Sequence, residues 1–178
     1  MTVLPDHEIE FLIREKGLIS GGDPKCLQPA SYDVHLAPTV LIPVGYYGDD
    51  RVELQEISVE EASLPLTLWR GDMFLGSTVE RVAIPDDLVG RIEGCSSVAR
   101  AGIQIHSAGY LDPGFRGNVT LEIVSFWPRP LILRPYMKIA QLSFEWLSSR
   151  CERPYGSDGL GSHYQDSRGV VASRYGRE

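Results

Sequence analysis

Cysteine is scarce in this sequence, and the arrangement of the few cysteines excludes two common classes of small domain. Cys26, Cys95 and Cys151 are odd in number and widely separated, and no C-x-x-C pair occurs. A disulfide framework needs paired cysteines, and a tetrahedral zinc site needs closely spaced thiolate or imidazole ligands. We therefore expect neither zinc nor structural disulfides, and we expect the reducing conditions of the cytoplasm.

Several catalytic motifs are missing as well. The sequence contains no G-x-x-x-x-G-K-[ST], no G-x-G-x-x-G and no G-x-S-x-G, so phosphate-loop, dinucleotide-binding and hydrolase-elbow chemistries have no support. The H-x-E and P-C-x-x-C signature of zinc deaminases is also absent. The four histidines lack metal-ligand spacing, and a single histidine is more often structural than catalytic.

Long apolar runs and an excess of basic residues are the remaining absences. No stretch approaches the ~18–20 apolar residues of a membrane span, and the N-terminal segment carries acids where a signal peptide needs a basic and then an apolar region. The balance of 17 basic and 24 acidic residues gives a net charge of -7, which repels a polyanion. These features predict a soluble protein with no membrane or nucleic-acid partner.

The sequence is rich in turn residues, with 18 glycines and 12 prolines among 178 residues. That richness predicts one mainly β domain of many short strands. A single short helix is expected from Pro5-Asp6 to Lys16-Gly17, where apolar residues recur at helical spacing. Alternating or clustered apolar runs predict strands, which lie at 32–36, 39–42, 64–69, 73–75, 89–92, 118–124, 131–133 and 139–144.

The end of the chain differs from the rest, so we divide the domain into a β-rich catalytic part, 1–149, and a tail, 150–178. The tail contains five arginines and four acids, which leaves 12 basic and 20 acidic residues in the body. A glycine-jointed tail of this kind is either disordered or a lid over an anionic ligand. Tyr155, Tyr164 and Tyr175 favour the lid, because aromatic side chains stack on nucleobases.

Polar residues concentrate between positions 93 and 124. Ser96, Ser97 and Arg100 fit a phosphate or a polar base edge, but also a capped short helix with a surface arginine. Asp112 opens a strong turn signal, Asp112-Pro113-Gly114, and its carboxylate could hold a sugar hydroxyl or a water.

Glu122 is the unexpected residue in that region, because it interrupts the apolar run 119–124. A carboxylate in a strand lies either on the solvent face or buried beside a partner. Alternation places it on one face with Thr120 and Val124. If it is partly desolvated, its carboxylate becomes a candidate general base.

Several separated motifs resemble, in the right order, those of the dCTP deaminase family, which is related to the trimeric dUTPases. They are Gln28 to Leu36, Gly94 to Gly102, Ala108 to Phe115, Leu121-Glu122, Lys138 to Leu142, Arg153 to Gly156 and His163 to Arg174. The resemblance implies a distorted β-barrel or jelly-roll-like fold of the dUTPase (β-clip) type. It also implies a homotrimer with active sites at the subunit interfaces.

The resemblance implies zinc-independent hydrolytic deamination of dCTP. Glu122 would be the general base for a water held near the backbone of Ala108, and that water would attack C4 of cytosine. Ser96 and Arg100 would orient the site and stabilise the developing charge. The other residues that the resemblance assigns to nucleotide binding are Cys95, Ser97, Val98, Ala99, Asp112, Thr120, Leu121, Gln141, Tyr155, His163 and Ser167.

The resemblance further implies Mg²⁺ bound with the triphosphate, no direct protein ligand to the metal, and dTTP as a candidate feedback inhibitor. Ala108-Gly109 in a short loop resembles the bifunctional type that goes on to dUMP and diphosphate and so supplies dTMP synthesis. The water for that second step would lie near Asp33, Gln141 and Asp112.

Three residues depart from the family pattern and keep other functions open. Cys95 replaces an arginine, His163 a lysine and Ser167 a glutamine at positions that contact the nucleotide, mostly its phosphates. The alternatives are a deaminase that stops at dUTP, a plain dUTPase, a deaminase of a related cytosine nucleotide, and a nucleotide-binding paralogue without catalysis. Arginines of the tail region, such as Arg150, Arg153, Arg168 and Arg174, could compensate for the lost cations.

Overall fold

The computed structural model describes residues 2–47, 51–59, 66–106 and 109–174, and it confirms a mainly β protein. The described helices are α1 (Asp6–Lys16) and α2 (Ser96–Arg100), with a 3-10 turn at Pro24–Cys26. The described strands are β1 (Thr2–Val3), β2 (Ile19–Ser20), β3 (Leu27–Gln28), β4 (Ser31–His35), β5 (Thr39–Tyr47), β6 (Arg51–Ser58), β7 (Leu66–Leu68), β8 (Met73–Ala83), β9 (Leu88–Gly94), β10 (Ile103–His106), β11 (Tyr110–Leu111), β12 (Arg116–Ser125), β13 (Leu131–Leu133) and β14 (Lys138–Trp146).

The described strands form two six-stranded sheets and a small ribbon. The first sheet has the order β11-β9-β14-β4-β3, with β1 added beside β14; the second has the order β10-β12-β8-β5-β6, with β2 added beside β8. Strands β13 and β7 make the ribbon. Buried side chains of both large sheets belong to one hydrophobic cluster, so the architecture is a two-sheet β fold in which the described strands do not close into a barrel.

Helix α1 confirms the expected helix and its two ends. It begins after Pro5 and ends at Gly17, whose φ of 66° is left-handed and whose N–H donates to the carbonyl of Ile13. Glycine adopts this conformation without the steric cost that other residues meet. Ile9 and Leu12 are the buried residues of the helix, so its apolar stripe packs on the core. No helix in the described part of the chain is long and apolar enough to cross a membrane.

Most of the expected strands are present, usually longer than the apolar runs that predicted them. The run 73–75 opens β8, which continues to Ala83, and the run 118–124 lies inside β12. The expected strand 64–69 corresponds to β7 at 66–68, whereas 64 and 65 lie outside the described residues. Strands β6 and β10 were not predicted, although β10 alternates apolar and polar residues over its four positions and β6 does so as far as Gln55. The two-residue strands β1, β2, β3 and β11 were not predicted either.

A β-bulge in β8 carries a buried carboxylate from one sheet to the other. The pairing of β12 with β8 shifts between Asn118 and Thr120, opposite residues 78–80. The side-chain amide of Asn118 donates to the carbonyls of Thr78, Val79 and Glu80, which holds the bulged segment in place. The side chain of Glu80, 1% exposed, consequently meets His35 of β4 in the first sheet.

Glu80 joins the two sheets through both of its carboxylate oxygens. The main-chain N–H of His35 donates to Oε2 at 2.9 Å, and the His35 Nδ1 lies 2.6 Å from Oε1. The far ring nitrogen of His35 is 3.8 Å from the sulfur of Cys26. Burial raises the pKa of the Cys26 thiol, so this thiol is a weak nucleophile and the row Cys26, His35 and Glu80 is structural.

We expect Glu80→Gln to lower the free energy of unfolding by about 1–3 kcal/mol. The amide keeps one acceptor, so one of the two bonds to His35 is lost at a buried position. Urea unfolding followed by circular dichroism measures the change. Glu10→Gln, at an exposed helix position, is the control and should shift stability by less than about 0.5 kcal/mol. Equal stabilities of the two variants would contradict a structural role for Glu80.

Candidate active site

A large cleft of about 2380 Å³ runs along the face of β12. Inward-facing Leu121 and Ile123 of this strand are fully buried, whereas the alternate residues Thr120 and Glu122 face the cleft. The strand alternation that grouped Thr120 with Glu122 in the sequence is therefore confirmed. The carboxylate of Glu122 lies in a concave, half-buried position, which is the environment that a general base needs.

The turn after β11 brings a second carboxylate to the same cleft. The N–H of Phe115 donates to the carbonyl of Asp112 at 3.0 Å, and Gly114 has a φ of 91°. Proline followed by a left-handed glycine is the pattern of a type II turn, so the predicted turn is present. The exposed carboxylate of Asp112 lines the cleft at the start of this turn.

The tail forms one wall of the cleft, where Tyr155, His163 and Ser167 contribute lining side chains. The hydroxyl of Tyr155 accepts from the main-chain N–H of Tyr164 at 2.9 Å, and its ring lies edge-on to Phe115 with centroids 5.8 Å apart. Residues 150–174 are thus folded against the body, as the lid interpretation requires. Tyr175 lies outside the described residues.

The outer edge of β12 is paired on both sides of Thr120. Strand β10 pairs with β12 as far as Glu122, and the tail pairs with the other end at Gly117 and Asn118. Because the main-chain groups of alternate residues point to the same side of a strand, the N–H and C=O of Thr120 point into the gap between them. Among the described residues nothing pairs with the edge at Thr120 itself, and the adjoining Ser107 and Ala108 lie outside them.

The serine-arginine group lies apart from Glu122 within the chain. Cys95 is the N-cap of α2 and makes no side-chain capping bond, so the alternative in which a serine caps this helix is wrong. Ser96, Ser97 and Arg100 are exposed and line neither of the two described clefts. Their polar groups have no described partner and remain available for a ligand or another chain.

A second, smaller cleft adjoins α2. Its volume is about 850 Å³, and Ala99 contributes to its wall, whereas Val98 is buried in the core. Ile92, Gly109 and Tyr110 line both clefts. The two clefts therefore adjoin at this segment, with Glu122 lining the larger one and Ala99 of α2 lining the smaller one.

Cys95 is buried, at 9% exposure, and burial raises the pKa of its thiol. Lys138 and Asp33 are close enough to influence that pKa. The Nζ of Lys138 donates to Asp33 at 2.9 Å, and this bond raises the pKa of the lysine. The side-chain amide of Gln28 also donates to Asp33, so this carboxylate is already engaged by two groups of its own sheet.

Gln141 lies opposite Asp33 in the pairing of β14 with β4 and does not line the cleft of Glu122. The chain consequently brings together Glu122, Asp112, Thr120, Tyr155, His163 and Ser167, and it keeps the group around α2 and Gln141 separate. Residues that line the cleft without having been predicted include Asn118 and Val171. The side chain of Asn118 falls on the same alternation as Thr120 and Glu122, which could have identified it.

The described residues contain no group of three or more His, Cys, Asp or Glu side chains placed to hold a metal ion. An ion that arrives with a polyphosphate needs no such protein ligand set. The exposed carboxylate of Asp112 lies beside the cleft, where such an ion would be bound with its phosphates.

Comparisons with known proteins identify the family. The sequence profile of the dCTP deaminase-like family matches residues 3–147. A "dCTP deaminase, dUMP-forming" of Clavibacter michiganensis is 43% identical over 159 residues, which cover 85% of this chain and 79% of that protein. A protein of the same name from Corynebacterium kroppenstedtii is 40% identical over 183 residues and covers 97% of this chain and 96% of its own length.

Among solved structures, a 2'-deoxycytidine 5'-triphosphate deaminase from Agrobacterium tumefaciens superposes with a TM-score of 0.66. It is 22% identical, and the match covers 81% of this chain and 47% of that one. At this identity the likeness concerns the fold alone. The profile match and the identity with two proteins of nearly the same length carry the assignment, and the chain belongs to the dCTP deaminase-like family.

Proposed function

We propose that the protein deaminates dCTP by hydrolysis and then releases diphosphate to give dUMP. The observation that carries the proposal is the position of Glu122, whose carboxylate faces a cleft with Asp112 and the folded tail. The relatives named for this overall conversion are about 40% identical to the chain. A cleft that combines a candidate general base, a carboxylate for a sugar hydroxyl and a wall formed by the tail suits a nucleotide.

Glu122 acts as the base in this proposal. It takes a proton from a water near the loop 107–109, and the water attacks C4 of the cytosine. The carboxyl group passes that first proton to N3 of the ring. It then takes the proton of the new C4 hydroxyl and delivers it to the amine, so the C4–N bond breaks, ammonia leaves and the C4 carbonyl of uracil forms. General acid–base catalysis of this kind contributes about 10²–10⁴-fold to a rate.

In this proposal the main chain of Thr120 recognises the pyrimidine through hydrogen bonds. Its N–H and C=O lie on the outer edge of β12 without a described partner, and the edge of a base is proposed to pair with them as a further strand would. In this proposal Asp112, whose exposed carboxylate lines the cleft, accepts from the deoxyribose 3'-hydroxyl. The tail, with Tyr155, then lies over the triphosphate and the Mg²⁺ that accompanies it.

The separation of α2 from Glu122 supports a site built from two chains. Ser96 and Arg100 are exposed and do not line the cleft that Glu122 of the same chain faces. In a symmetric homotrimer, α2 of one subunit can face the cleft of the next, and the contact repeats around the axis. Arg100 then stabilises the charge that develops on the ring, a role suited to a preorganised donor.

One observation favours a second candidate substrate. Cys95 is buried, and burial raises the pKa of its thiol. His163 and Ser167 line the cleft, and no arginine or lysine is among its described lining residues. Charge-assisted bonds to phosphate are worth about 1.5–3 kcal/mol each. A cytosine deoxynucleotide with fewer phosphates is therefore the alternative substrate.

A nucleotide panel tests the reaction. We expect dCTP with Mg²⁺ to give ammonia, dUMP and diphosphate, and we expect chelation of the metal to suppress turnover. The other members of the panel are dCMP, CTP and dUTP, with products identified by mass spectrometry. Absence of ammonia from every cytosine nucleotide would overturn the proposal, release of dUTP would limit it to the first step, and turnover of dCMP alone would establish the second candidate.

A complementation experiment tests the roles and the assembly together. Glu122→Gln and Arg100→Gln are each expected to lower kcat at least about a hundredfold. Co-expression of the two variants with different tags should restore up to about a quarter of the wild-type rate, because a random trimer combines one intact α2 with one intact Glu122 at that frequency.

The controls separate the possible failures of that experiment. Each variant alone should elute at the mass of the wild-type assembly and still bind dCTP in calorimetry. Retained turnover in Glu122→Gln would show that another group is the base. Loss of activity in both variants without any recovery in the mixed assembly would place Arg100 and Glu122 in the same subunit's site.

A further inference from the structure

A charged contact beside the cleft attaches the tail to the body, in addition to the pairs that Arg150 makes with Asp86 and Asp87 where the tail begins. The carboxylate of Asp166 accepts from Arg81 at 2.7 Å through Oδ1 and from Arg116 at 3.3 Å through Oδ2. Arg81 belongs to β8 and Arg116 to β12, which are neighbouring strands. Two guanidinium groups side by side repel one another, and the carboxylate between them removes that repulsion.

In this contact the acid belongs to the tail and the cations belong to the body, which is the opposite of what the net charges of the two parts would favour. The tail carries five arginines and four acids, and the body has an excess of acids. A tail held only by the overall field would present its cations to body carboxylates. Asp166 does the reverse, since an acid of the tail meets two cations of the body, so the contact defines one position along the strand.

The backbone at Asp166 is also specialised. Its φ is 56°, which is left-handed and uncommon for a residue other than glycine. Aspartate and asparagine tolerate this conformation better than most residues. The N–H of Asp166 donates to the carbonyl of Arg116 at 2.8 Å, so the left-handed turn aims both the main chain and the carboxylate at one end of β12.

The residues on either side of Asp166, Gln165 and Ser167, also bind to β12 and to the turn before it. The amide of Gln165 accepts from the N–H of Arg116 and donates to the carbonyl of Gly114. Ser167 forms a parallel bridge with Gly117, where any side chain on the glycine would overlap the serine hydroxyl. Because Gly117 has no side chain, the tail can approach β12 closely enough to form this bridge.

After the bridge, successive residues of the tail contact β12 at positions closer to Glu122. The N–H of Gly169 donates to the side chain of Asn118 at 3.1 Å, and the N–H of Val171 donates to the hydroxyl of Thr120 at 3.2 Å. Ala172 and Ser173 follow in the lining of the cleft. A shift at Asp166 would move this entire series relative to the cleft.

We infer that Asp166 is a latch, a positioning residue that fixes the register of the tail on β12 through Arg81 and Arg116. This inference deepens the proposed function, because the latched tail places His163, Tyr164 and Ser167 in the wall that receives the nucleotide. It also assigns the tail to the cleft of its own chain. Asp166 itself does not line the cleft, so its effect passes through the tail.

Asp166→Asn tests the latch, since asparagine keeps the left-handed backbone and removes the charge. Without nucleotide, we expect trypsin to cleave after exposed Arg168 roughly three- to tenfold faster in the variant, because the tail leaves the strand more often. With dCTP, KM should rise by a similar factor and kcat should change less than about twofold. Asp158→Asn, an exposed tail position with no described ion pair, should match the wild type.

Salt and a double-mutant cycle separate a charged latch from a general structural role. Raising the ionic strength should speed cleavage of the wild type toward the rate of Asp166→Asn and leave the variant almost unchanged. Arg116→Gln combined with Asp166→Asn should be little worse than either change alone. Additive effects, or wild-type cleavage in Asp166→Asn, would overturn the latch.

The proteolysis readout needs no turnover, so it is independent of the proposed reaction. A wild-type protein that releases no ammonia from any nucleotide but shows the expected cleavage pattern would refute the reaction and keep the latch. Normal turnover with unchanged cleavage in Asp166→Asn would refute the latch and keep the reaction.

Discussion

The register of β12 against β8 decides which side chains enter the core and which line the cleft. Leu121 pairs with Gly76 and Glu122 with Leu75. Gly76 leaves room for the neighbouring Leu36 and Ile123, since a Cβ on it would lie 2.7 and 2.9 Å from their methyl groups. A slip of one residue would turn Glu122 into this packed interior and Leu121 into the cleft. The glycine and the tight packing around it thus keep the carboxylate in the cleft.

The bulge in β8 and the position of the tail both depend on Asn118. Its Nδ2 donates to three carbonyls of the bulged segment, and its Oδ1 accepts from the N–H of Gly169 in the tail. The bulge turns Glu80 toward the other sheet, where it meets His35. One amide therefore connects the junction of the two sheets with the wall of the cleft. A change at Asn118 would act on stability and on the cleft together.

Local patterns predicted the elements of the fold more successfully than their arrangement. The apolar spacing from Ile9 onward and the alternation around Glu122 are properties of neighbouring residues, and both the helix and β12 follow from them. Strand β6 carries three charged residues among eight, and its apolar alternation stops at Glu56, whereas its pairing with β5 continues to Ser58. The sequence alone gives only a short signal for such a strand.

The candidate site shows the same limit. Glu122 and Asp112 were identified from their unusual settings, and the cleft brings them together. The contact of Asp166 with Arg81 joins residues 85 positions apart, and the charge count of the tail gives no indication of it. The net charges, negative for the body and positive for the tail, would predict pairs between tail cations and body acids. Here an acid of the tail pairs with two cations of the body instead.

The position of the charges also bears on how the site treats a polyphosphate. The body is acidic and Cys95 brings no cation to the start of α2, so a triphosphate gains little from the body near that helix. The tail holds the arginines that could offset this, but a flexible tail loses conformational freedom each time it closes. A tail already fixed in register by Asp166, Gln165 and Ser167 loses less on binding. If the protein binds a triphosphate as proposed, the latch and the uncharged residue at position 95 belong to one arrangement, in which a tail held in register offsets the lack of a cation near α2.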